Sequence, residues 1–281
     1  MDSCTRYEKL IEARHREIDE SEQAMPFWGP DGAPCLDYRL LEELLSFSAS
    51  SGETVQSGGL AKALDMWVAD ELRRAGFSED SVWPRLHAPR VLDPAVSSFV
   101  QWLPANVAEP CCKKLSVYPS SEARVLGSTY GKQVDVGMST WMTGPEIIIS
   151  TKTMNGAFGK NLGNRFEEAY GDAKNLRGRH PLAALGFFFL VDSSIVDEPG
   201  NLEKAIAMMR RLRSSDDAYD AFALLLMEKH GGEGTRVLAN SEDVPAVLSA
   251  RHFFGVIVRL TLDRGPLDGH VAARRICPER L

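Results

Sequence analysis

Gln133-Val134-Asp135-Val136-Gly137 and Ile147-Ile148-Ile149-Ser150-Thr151-Lys152 are the two segments that decide the fold. Each has the apolar and β-branched composition of a strand, and each carries one charged residue among positions that a sheet would bury. Burying a charge without a partner costs several kcal/mol, so Asp135 and Lys152 both require compensation. A metal or a hydrogen-bond network would satisfy Asp135. A structural ion pair between the two strands would satisfy both residues.

The expected pairing of these segments brings their charges together. If Thr143 and Gly144 are the central residues of a two-residue hairpin turn, the register places Asp135 directly opposite Lys152. Ser150 lies two residues before Lys152 and therefore shares its face of the strand. The pattern predicts a cluster of polar side chains on one face of a sheet.

The surrounding residues predict a mixed sheet. Period-two patterns indicate strands over residues 124–130, 132–141 and 146–154, and an apolar run indicates a buried strand over 183–191. A helix over 164–177 connects the last two strands. This order is typical of the α/β (α+β) class, with a mixed central sheet flanked by helices.

The helix over 164–177 has one apolar face and one charged edge, at about 100° per residue. The apolar face consists of Leu162, Phe166, Ala169, Ala173 and Leu176. Arg165 and Glu168, three residues apart, share the edge beside that face. A guanidinium and a carboxylate thus line one edge of a helix that packs on the sheet.

The remaining segments predict two domains. Residues 1–115 form a helical N-terminal region with an irregular connection, because the prolines between residues 82 and 115 interrupt any long element. Residues 116–281 form an α/β core with C-terminal helices and strands. Helices are predicted over 7–23, 38–47, 59–75, 202–213 and 219–229, and strands over 236–238 and 253–262.

Charge is distributed unevenly along the chain. The net charge is −7, but residues 1–80 carry 8 basic and 17 acidic side chains, a balance of −9, which leaves +2 for the rest. A basic cluster in the later part favours an anionic partner, although a solvated helix face has the same composition. The cluster consists of Lys160, Lys174, Arg177 and Arg179.

Composition also excludes several function classes. The cysteines and histidines have no zinc-ligand spacing, so a bound metal would require oxygen ligands. The longest near-continuous apolar run, residues 183–191, is about half the length of a membrane span, and the first residues lack the pattern of a signal peptide. We therefore expect a cytoplasmic protein with no membrane partner.

The combination of these strands and charges resembles the PD-(D/E)xK nuclease superfamily, over roughly residues 59–192. In that family an aspartate on the second core strand and an acid-x-lysine on the third hold a divalent metal. Asp135 matches the aspartate and Lys152 matches the lysine, but Val134 replaces the proline and Ser150 replaces the second acid. A subgroup of type II restriction endonucleases has Ser-x-Lys on this strand and takes its second acid from the following helix.

The resemblance implies a site for that relocated acid. Arg165-Phe166-Glu167-Glu168 follows the strand at the required distance, and Glu168 fits best because of its helix edge, with Glu167 as the other choice. In the same family a glutamate on an earlier helix sometimes joins the site, and Glu71 is the nearest match. Asp135, Glu168 and the Thr151 carbonyl would bind Mg²⁺, with Mn²⁺ as a substitute.

The resemblance further implies a restriction-endonuclease-like fold and a type II restriction or phage-defence enzyme that cuts double-stranded DNA as a homodimer. Lys152 would orient the attacking water or offset charge on the phosphorus, Ser150 would supply a hydrogen bond, and Arg165 would hold Glu168 or contact a phosphate. The basic cluster would contact the DNA backbone. Because Ser150 replaces an acid, the alternative is a catalytically inactive DNA-binding or assembly protein with the same fold.

Overall fold

A computed structural model describes residues 4–21, 25–50, 58–115, 122–213, 218–230 and 234–278. The helices are α1 (Thr5–Glu20), α2 (Tyr38–Ser50), α3 (Gly59–Arg74), α4 (Pro94–Trp102), α5 (Ala105–Leu115), α6 (Phe158–Arg177), α7 (Asn201–Arg213), α8 (Ala250–Arg264) and α9 (Val271–Ile276). The strands are β1 (Val82–Trp83), β2 (Ala123–Leu126), β3 (Gly131–Val134), β4 (Val136–Thr140), β5 (Gly144–Met154), β6 (Ala184–Asp192), β7 (Ala221–His230) and β8 (Gly234–Leu238).

The centre of the molecule is a six-stranded mixed sheet. Its strand order is β1-β4-β5-β6-β7-β8, and β2 and β3 form a separate antiparallel pair. β5, β6 and β7 run parallel, whereas the remaining neighbours are antiparallel. The prediction of a mixed α/β protein with a central sheet flanked by helices is confirmed.

Both faces of the central strands are covered, which explains their apolar composition. Ile147 and Ile149 of β5 belong to a core that includes α2, α3 and α8. Ile148, between them, belongs to a second core that includes α6 and α7. Alternation along one strand therefore serves two hydrophobic layers.

The helix after β5 follows its predicted pattern. α6 begins at Phe158, six residues before the predicted start. All five residues of the predicted apolar face are buried. The face therefore fixes the rotation of α6, and with it the direction of the charged edge.

Two C-terminal predictions are wrong. Residues 221–229 of the predicted helix lie in strand β7, which pairs with β6 and β8. The predicted strand 253–262 lies in helix α8, whose first turn is capped by the Ser249 hydroxyl, which accepts a hydrogen bond from the His252 N–H. In both segments the buried environment overrides local preference.

The proline-rich segment is more ordered than predicted. It contains β1, which pairs with β4, and then α4 and α5. Asp93 is the N-cap of α4, and its side chain accepts a hydrogen bond from the Ala95 N–H. Pro94 is the first residue of the helix, a position where the backbone N–H has no partner within the helix. Pro110 lies inside α5, of which no residue is buried.

The N-terminal helices pack on the sheet directly. α3 contacts β4 and β5, and α2 contacts β8. The predicted helix over 7–23 corresponds to α1, and its residues 22–23 lie outside the described residues. The domain boundary predicted between residues 115 and 116 falls at the undescribed segment 116–121 and stays a prediction. Within the described ranges, none of the helices combines the length and apolar character needed to cross a bilayer.

Candidate active site

Asp135 lies at a junction between two sheets. β3 ends at Val134 and β4 begins at Val136, so the strand predicted over 132–141 is divided at Asp135. β3 pairs with β2, whereas β4 pairs with β1 and β5. The chain therefore bends at the aspartate, and its side chain is presented at the point where the two sheets meet.

The pairing of β4 with β5 differs from the predicted register by two residues. Val136 pairs with Ile149, which places Asp135 beside Ser150 rather than opposite Lys152. The register changes between Met138 and Ser139, and the turn is wider than the predicted one. A shift of two residues keeps the same face of the strand, so Lys152 still lies on the side of Asp135.

Three groups of β5 contact one oxygen of Asp135. The Ser150 hydroxyl donates to Asp135 Oδ2 at 3.2 Å, and the Thr151 N–H donates to the same atom at 3.0 Å. Lys152 Nζ is 3.7 Å from it. Asp135 Oδ1 has no hydrogen bond or ion pair with the part of the chain that the structure describes. The carboxylate is thus oriented by one oxygen, and the other oxygen is available to a ligand.

Glu168 reaches the same ammonium from α6. Lys152 Nζ lies 3.7 Å from Glu168 Oε1, and Arg165 donates to Glu168 Oε2 at 3.3 Å. Burial raises the pKa of Glu168, but the positive charges of Lys152, Lys132 and Arg165 outweigh this effect and hold the pKa below its ordinary value. Glu168 is therefore ionised at neutral pH.

The structure distinguishes the two adjacent glutamates. Glu168 faces β5, whereas Glu167 is exposed and makes no hydrogen bond or ion pair with the described residues. Asp135, Ser150, Thr151, Lys152, Arg165 and Glu168 are brought together as predicted from the sequence. Glu167 is not.

A third acid, Asp65 of α3, lies behind this group and was not predicted. The Thr151 hydroxyl donates to Asp65 Oδ1, and Lys62 is 3.9 Å from Asp65 Oδ2. Burial, followed by the negative charge of Asp135, raises the pKa of Asp65 to about 8. Its signal in the sequence is an acid on the stripe that Val68, Ala69 and Leu72 continue at helical spacing.

Glu71 does not join the site. Although it is buried on the same helix as Asp65, its carboxylate accepts from the Asp37 N–H at 2.7 Å and pairs with Arg74 at 2.5 Å. Burial raises the pKa of Glu71 to about 7. These contacts connect α3 to the start of α2. The acid that the earlier helix contributes to the cluster is therefore Asp65.

A second lysine lies on the other side of Glu168. Lys132 Nζ is 3.6 Å from Glu168 Oε1 and 2.5 Å from Asp172 Oδ2. The Tyr130 hydroxyl donates to Asp172 Oδ1 at 3.0 Å. These contacts attach the β2–β3 hairpin to α6. They also fix the position of Lys132 beside the candidate site.

The predicted basic cluster is divided between two roles. Lys160, Lys174 and Arg179 are exposed, as a DNA-contacting surface requires. Arg177 instead donates to the carbonyls of Pro181 and Ala183 and pairs with Asp220 at 2.6 Å. Its guanidinium is therefore used within the fold, and a contact between Arg177 and DNA stays a prediction.

The donor atoms at Asp135 are of the type that a hard divalent cation prefers, although among the described residues Asp65, Asp135 and Glu168 do not bring three ligand atoms within 4.8 Å of one another. Asp135 Oδ1 is accessible, Glu168 is ionised, and Asp65 is a buried acid whose pKa is raised partly by Asp135. A divalent cation would favour the ionised form of all three acids, and its preference for oxygen ligands matches them. Here the Lys152 ammonium supplies the compensating charge between Asp135 and Glu168.

A tighter group of potential ligands lies elsewhere. Among the described residues, Glu8, Glu12 and His87 have ligand atoms that all lie within 4.8 Å of one another. Glu8 is already paired with Arg90 at 3.0 Å and with His87 at 2.7 Å. Because these partners neutralise Glu8, we assign the group to the packing of α1 on the loop that carries His87.

Comparison with known proteins gave no matching family model, no matching curated protein and no matching solved structure. The functional assignment therefore rests on the side-chain geometry described above.

Proposed function

We propose that this chain is a divalent-metal-dependent DNA endonuclease with a restriction-endonuclease-like fold. It would act as a type II restriction or phage-defence enzyme on cytoplasmic double-stranded DNA. The observation that carries the proposal is the convergence of Asp135, Ser150 and Lys152 with Glu168 across the β5–α6 contact. Two acids, a hydroxyl and an amine from three elements are more than a single structural ion pair needs.

The acids would hold the metal. Asp135 through Oδ1, Glu168 and the Thr151 carbonyl are the expected ligands of Mg²⁺ or Mn²⁺. When bound, the metal supplies Lewis-acid stabilisation of a phosphoryl oxygen and makes hydroxide available near neutral pH. Asp65 lies behind Thr151 and would add negative charge beneath the ion.

The remaining residues position groups and offset charge. Ser150 and the Thr151 N–H fix the orientation of Asp135, and Arg165 holds the outer oxygen of Glu168. Lys152 lies close enough to both acids to hold a water between them or to offset negative charge that develops on the phosphate. Ser150 thus replaces an acid of the family pattern by orienting the acid that remains.

The exposed lysines of α6 suggest how DNA would approach. Lys160 and Lys174 are exposed on the helix that carries Glu168, and Arg179 follows its end. Such residues contact phosphates and position a duplex without reading its sequence. Since a duplex has two strands to cut, we propose that the active form is a homodimer.

A matched pair of variants tests the function. The purified full-length chain is incubated with supercoiled plasmid in Mg²⁺ and in Mn²⁺, and the loss of supercoiled DNA is followed on a gel. We expect Lys152→Ala and Glu168→Gln to lower the cleavage rate by at least about 100-fold. Glu167→Gln removes the same charge one residue away and should stay within about twofold of the parent.

One observation favours a second candidate, a DNA-binding or assembly protein that does not cleave. Lys152 Nζ lies 3.7 Å from each of Asp135 and Glu168, so one ammonium offsets charge on both acids. A parent that binds duplex DNA in a gel-shift assay but cleaves no plasmid or genomic DNA with either metal would support it. Cleavage that depends on Glu168 and not on Glu167 would exclude it.

A further inference from the structure

A large cavity lies near the β7–β8 end of the central sheet, away from the candidate active site. Its volume is about 690 Å³, and it is a partly open cleft bordered by α8, the turn at residues 32–34 and the loop at residues 239–249 that follows β8. Among the strands it contacts β7 and β8, which are separated from β5 by β6. It shares no residue with the Asp135 cluster. We refer to it as the α8 cavity.

Two guanidinium groups line this cavity and are held in place by the turn at residues 32–34. Arg251 Nε donates to the Pro34 carbonyl at 2.9 Å, and Arg259 Nη2 donates to the Gly32 carbonyl at 2.7 Å. Arg251 also pairs with Asp31 at 2.8 Å, and the Arg259 guanidinium stacks 4.6 Å from the ring centre of Trp28. Both side chains are therefore oriented before any ligand binds.

Each arginine retains donors that these contacts do not use. Arg251 Nη1, Arg259 Nε and Arg259 Nη1 have no hydrogen-bond acceptor within the described ranges of the chain. They are not among the buried polar atoms that lack a partner, so they face solvent-filled space. Oriented N–H groups of this kind bind the planar oxygens of carboxylate and phosphate.

The charge around the α8 cavity is positive. No aspartate or glutamate is among the described residues that line it. His252 lies in its wall, and burial, followed by the positive charges of Arg213 and Arg259, lowers the pKa of His252 below its ordinary value. Arg251 and Arg259 thus face a lining without a carboxylate among the described residues, although Asp31 pairs with Arg251 from outside it and the bounding loop carries Glu242 and Asp243.

The rest of the wall is apolar. Leu224 of β7, Val244 of the loop and Val256 of α8 line the cavity together with the two arginines. A volume of 690 Å³ lies within the range of about 300–1,000 Å³ that is typical of small-molecule sites. An inorganic ion would leave most of this space and all of the apolar wall without contacts.

We propose that the α8 cavity binds a small organic anion of nucleotide size. Its phosphate or carboxylate group would contact Arg251 and Arg259, and its uncharged body would pack against Leu224, Val244 and Val256. This inference concerns a site separate from the proposed nuclease centre and does not depend on that function. A phosphate ligand and a carboxylate ligand would share this chemistry, an oxyanion attached to an apolar body.

Isothermal titration calorimetry of the full chain tests the proposal. The probes are AMP, citrate and inorganic phosphate, in buffer freed of divalent metal by a chelating resin so that metal-dependent binding at Asp135 is absent and no chelating carboxylate competes. We expect AMP or citrate to bind at least tenfold more tightly than inorganic phosphate. The stronger of the two identifies phosphate or carboxylate as the preferred group.

Three variants locate the binding. Arg259→Ala removes a guanidinium, and Val256→Trp fills the space while both guanidiniums remain; each should weaken binding at least tenfold. Arg236→Ala removes an exposed arginine from β8 and should leave the affinity unchanged. Lys152→Ala should also leave it unchanged, which separates this site from the candidate active site.

Fluorescence provides an independent readout. A ligand that draws Arg259 from Trp28 should change the emission of the parent protein, and Trp28→Phe should remove that change. The proposal is overturned if none of the probes binds at millimolar concentration. Binding that survives both Arg259→Ala and Val256→Trp would overturn it equally.

Discussion

Two ion clusters along α6 differ in how they use their charges. Near the C-terminus of the helix, Asp220 accepts from Arg177 at 2.6 Å, from Arg264 at 2.9 Å and from the Leu185 N–H at 2.8 Å. At the middle of the helix, Lys152 lies 3.7 Å from both Asp135 and Glu168, beyond hydrogen-bond distance. In the first cluster both carboxylate oxygens of Asp220 accept hydrogen bonds, whereas in the second the Lys152 ammonium is hydrogen-bonded to neither acid.

This difference indicates which cluster serves the fold and which is available for chemistry. The Asp220 cluster joins α6, α8 and the start of β6, and both of its oxygens are used. In the other cluster, Asp135 has an oxygen without a described partner, and the side chain of Glu168 is 38% exposed. Substitutions should therefore separate cleavage from stability.

The largest expected effect is on cleavage. Asp135→Asn retains an oxygen that accepts from Ser150 and Thr151 but removes the charge, so the cleavage rate should fall at least about 100-fold. The free energy of unfolding should fall by no more than about 1 kcal/mol, because the lost ion pair with Lys152 is long at 3.7 Å and both side chains are partly exposed. Plasmid cleavage and urea denaturation measure the two quantities. Cleavage at the rate of the parent would contradict the proposed site.

The next effect is on stability. Asp220→Asn leaves Arg177 and Arg264 without their shared carboxylate, which should lower the free energy of unfolding by about 2 kcal/mol. The cleavage rate of the folded protein should change little, because Arg177 lies nine residues, or about 14 Å along the helix, from Glu168. Urea denaturation measures the loss. An intact stability would mean that the two clusters do not differ in the way described.

The difference in unfolding free energy between the parent and Asp220→Asn should depend on pH. Burial raises the pKa of Asp220, but hydrogen bonds from Arg264, Leu185 and Arg177 outweigh it, so the pKa lies below the ordinary value of 3.8. The stability from this group is therefore present above pH 3.8 and is lost as the pH falls through the lower, folded-state value. The difference in unfolding free energy between parent and variant should shrink in that acidic range. A constant difference at all pH values would contradict this linkage.

The smallest expected effect refines the outer edge of the site. Arg165 holds Glu168 Oε2 at 3.3 Å, and both side chains are more than one third exposed. Arg165→Ala should lower the cleavage rate only about threefold, because exposed pairs at this spacing contribute a few tenths of a kcal/mol. A loss as large as that of Glu168→Gln would place Arg165 in contact with DNA.

Sequence reasoning predicted the parts of the site that depend on periodicity. The apolar face of α6 and the alternation of β5 determine which side chains share a layer, and neither depends on the turn between strands. An error of two residues in register therefore left Ser150 and Lys152 on the face of Asp135. The choice of Glu168 over Glu167 followed from the same periodicity.

Sequence reasoning failed where an element is so fully buried that its hydrophobic periodicity does not show its secondary structure. β7 is apolar on both faces because it lies in the interior of the sheet, so Leu224, Leu225 and Leu226 have no alternation to read. α8 is rich in β-branched residues, which favour strands locally. Its buried pairs recur every four residues, Phe253 with Phe254 and then Ile257 with Val258, as a packed helix requires.

Asp65 shows a different reason for failure. Asp65 lies on the apolar stripe of α3, among positions that are buried in the structure. Its partner, Thr151, is 86 residues away in the sequence, and only the packing of α3 on β5 connects them. Contacts of this length are not visible in local patterns.

The bend at Asp135 closely restricts the position of that residue. One residue separates β3 from β4, and the two strands are hydrogen-bonded into different sheets. An inserted residue at this point would either break the strand pairing of β3 or β4 or turn the Asp135 carboxylate away from β5. The backbone thus preorganises Asp135 before any partner arrives, and the entropy of placing this group is lost once, during folding.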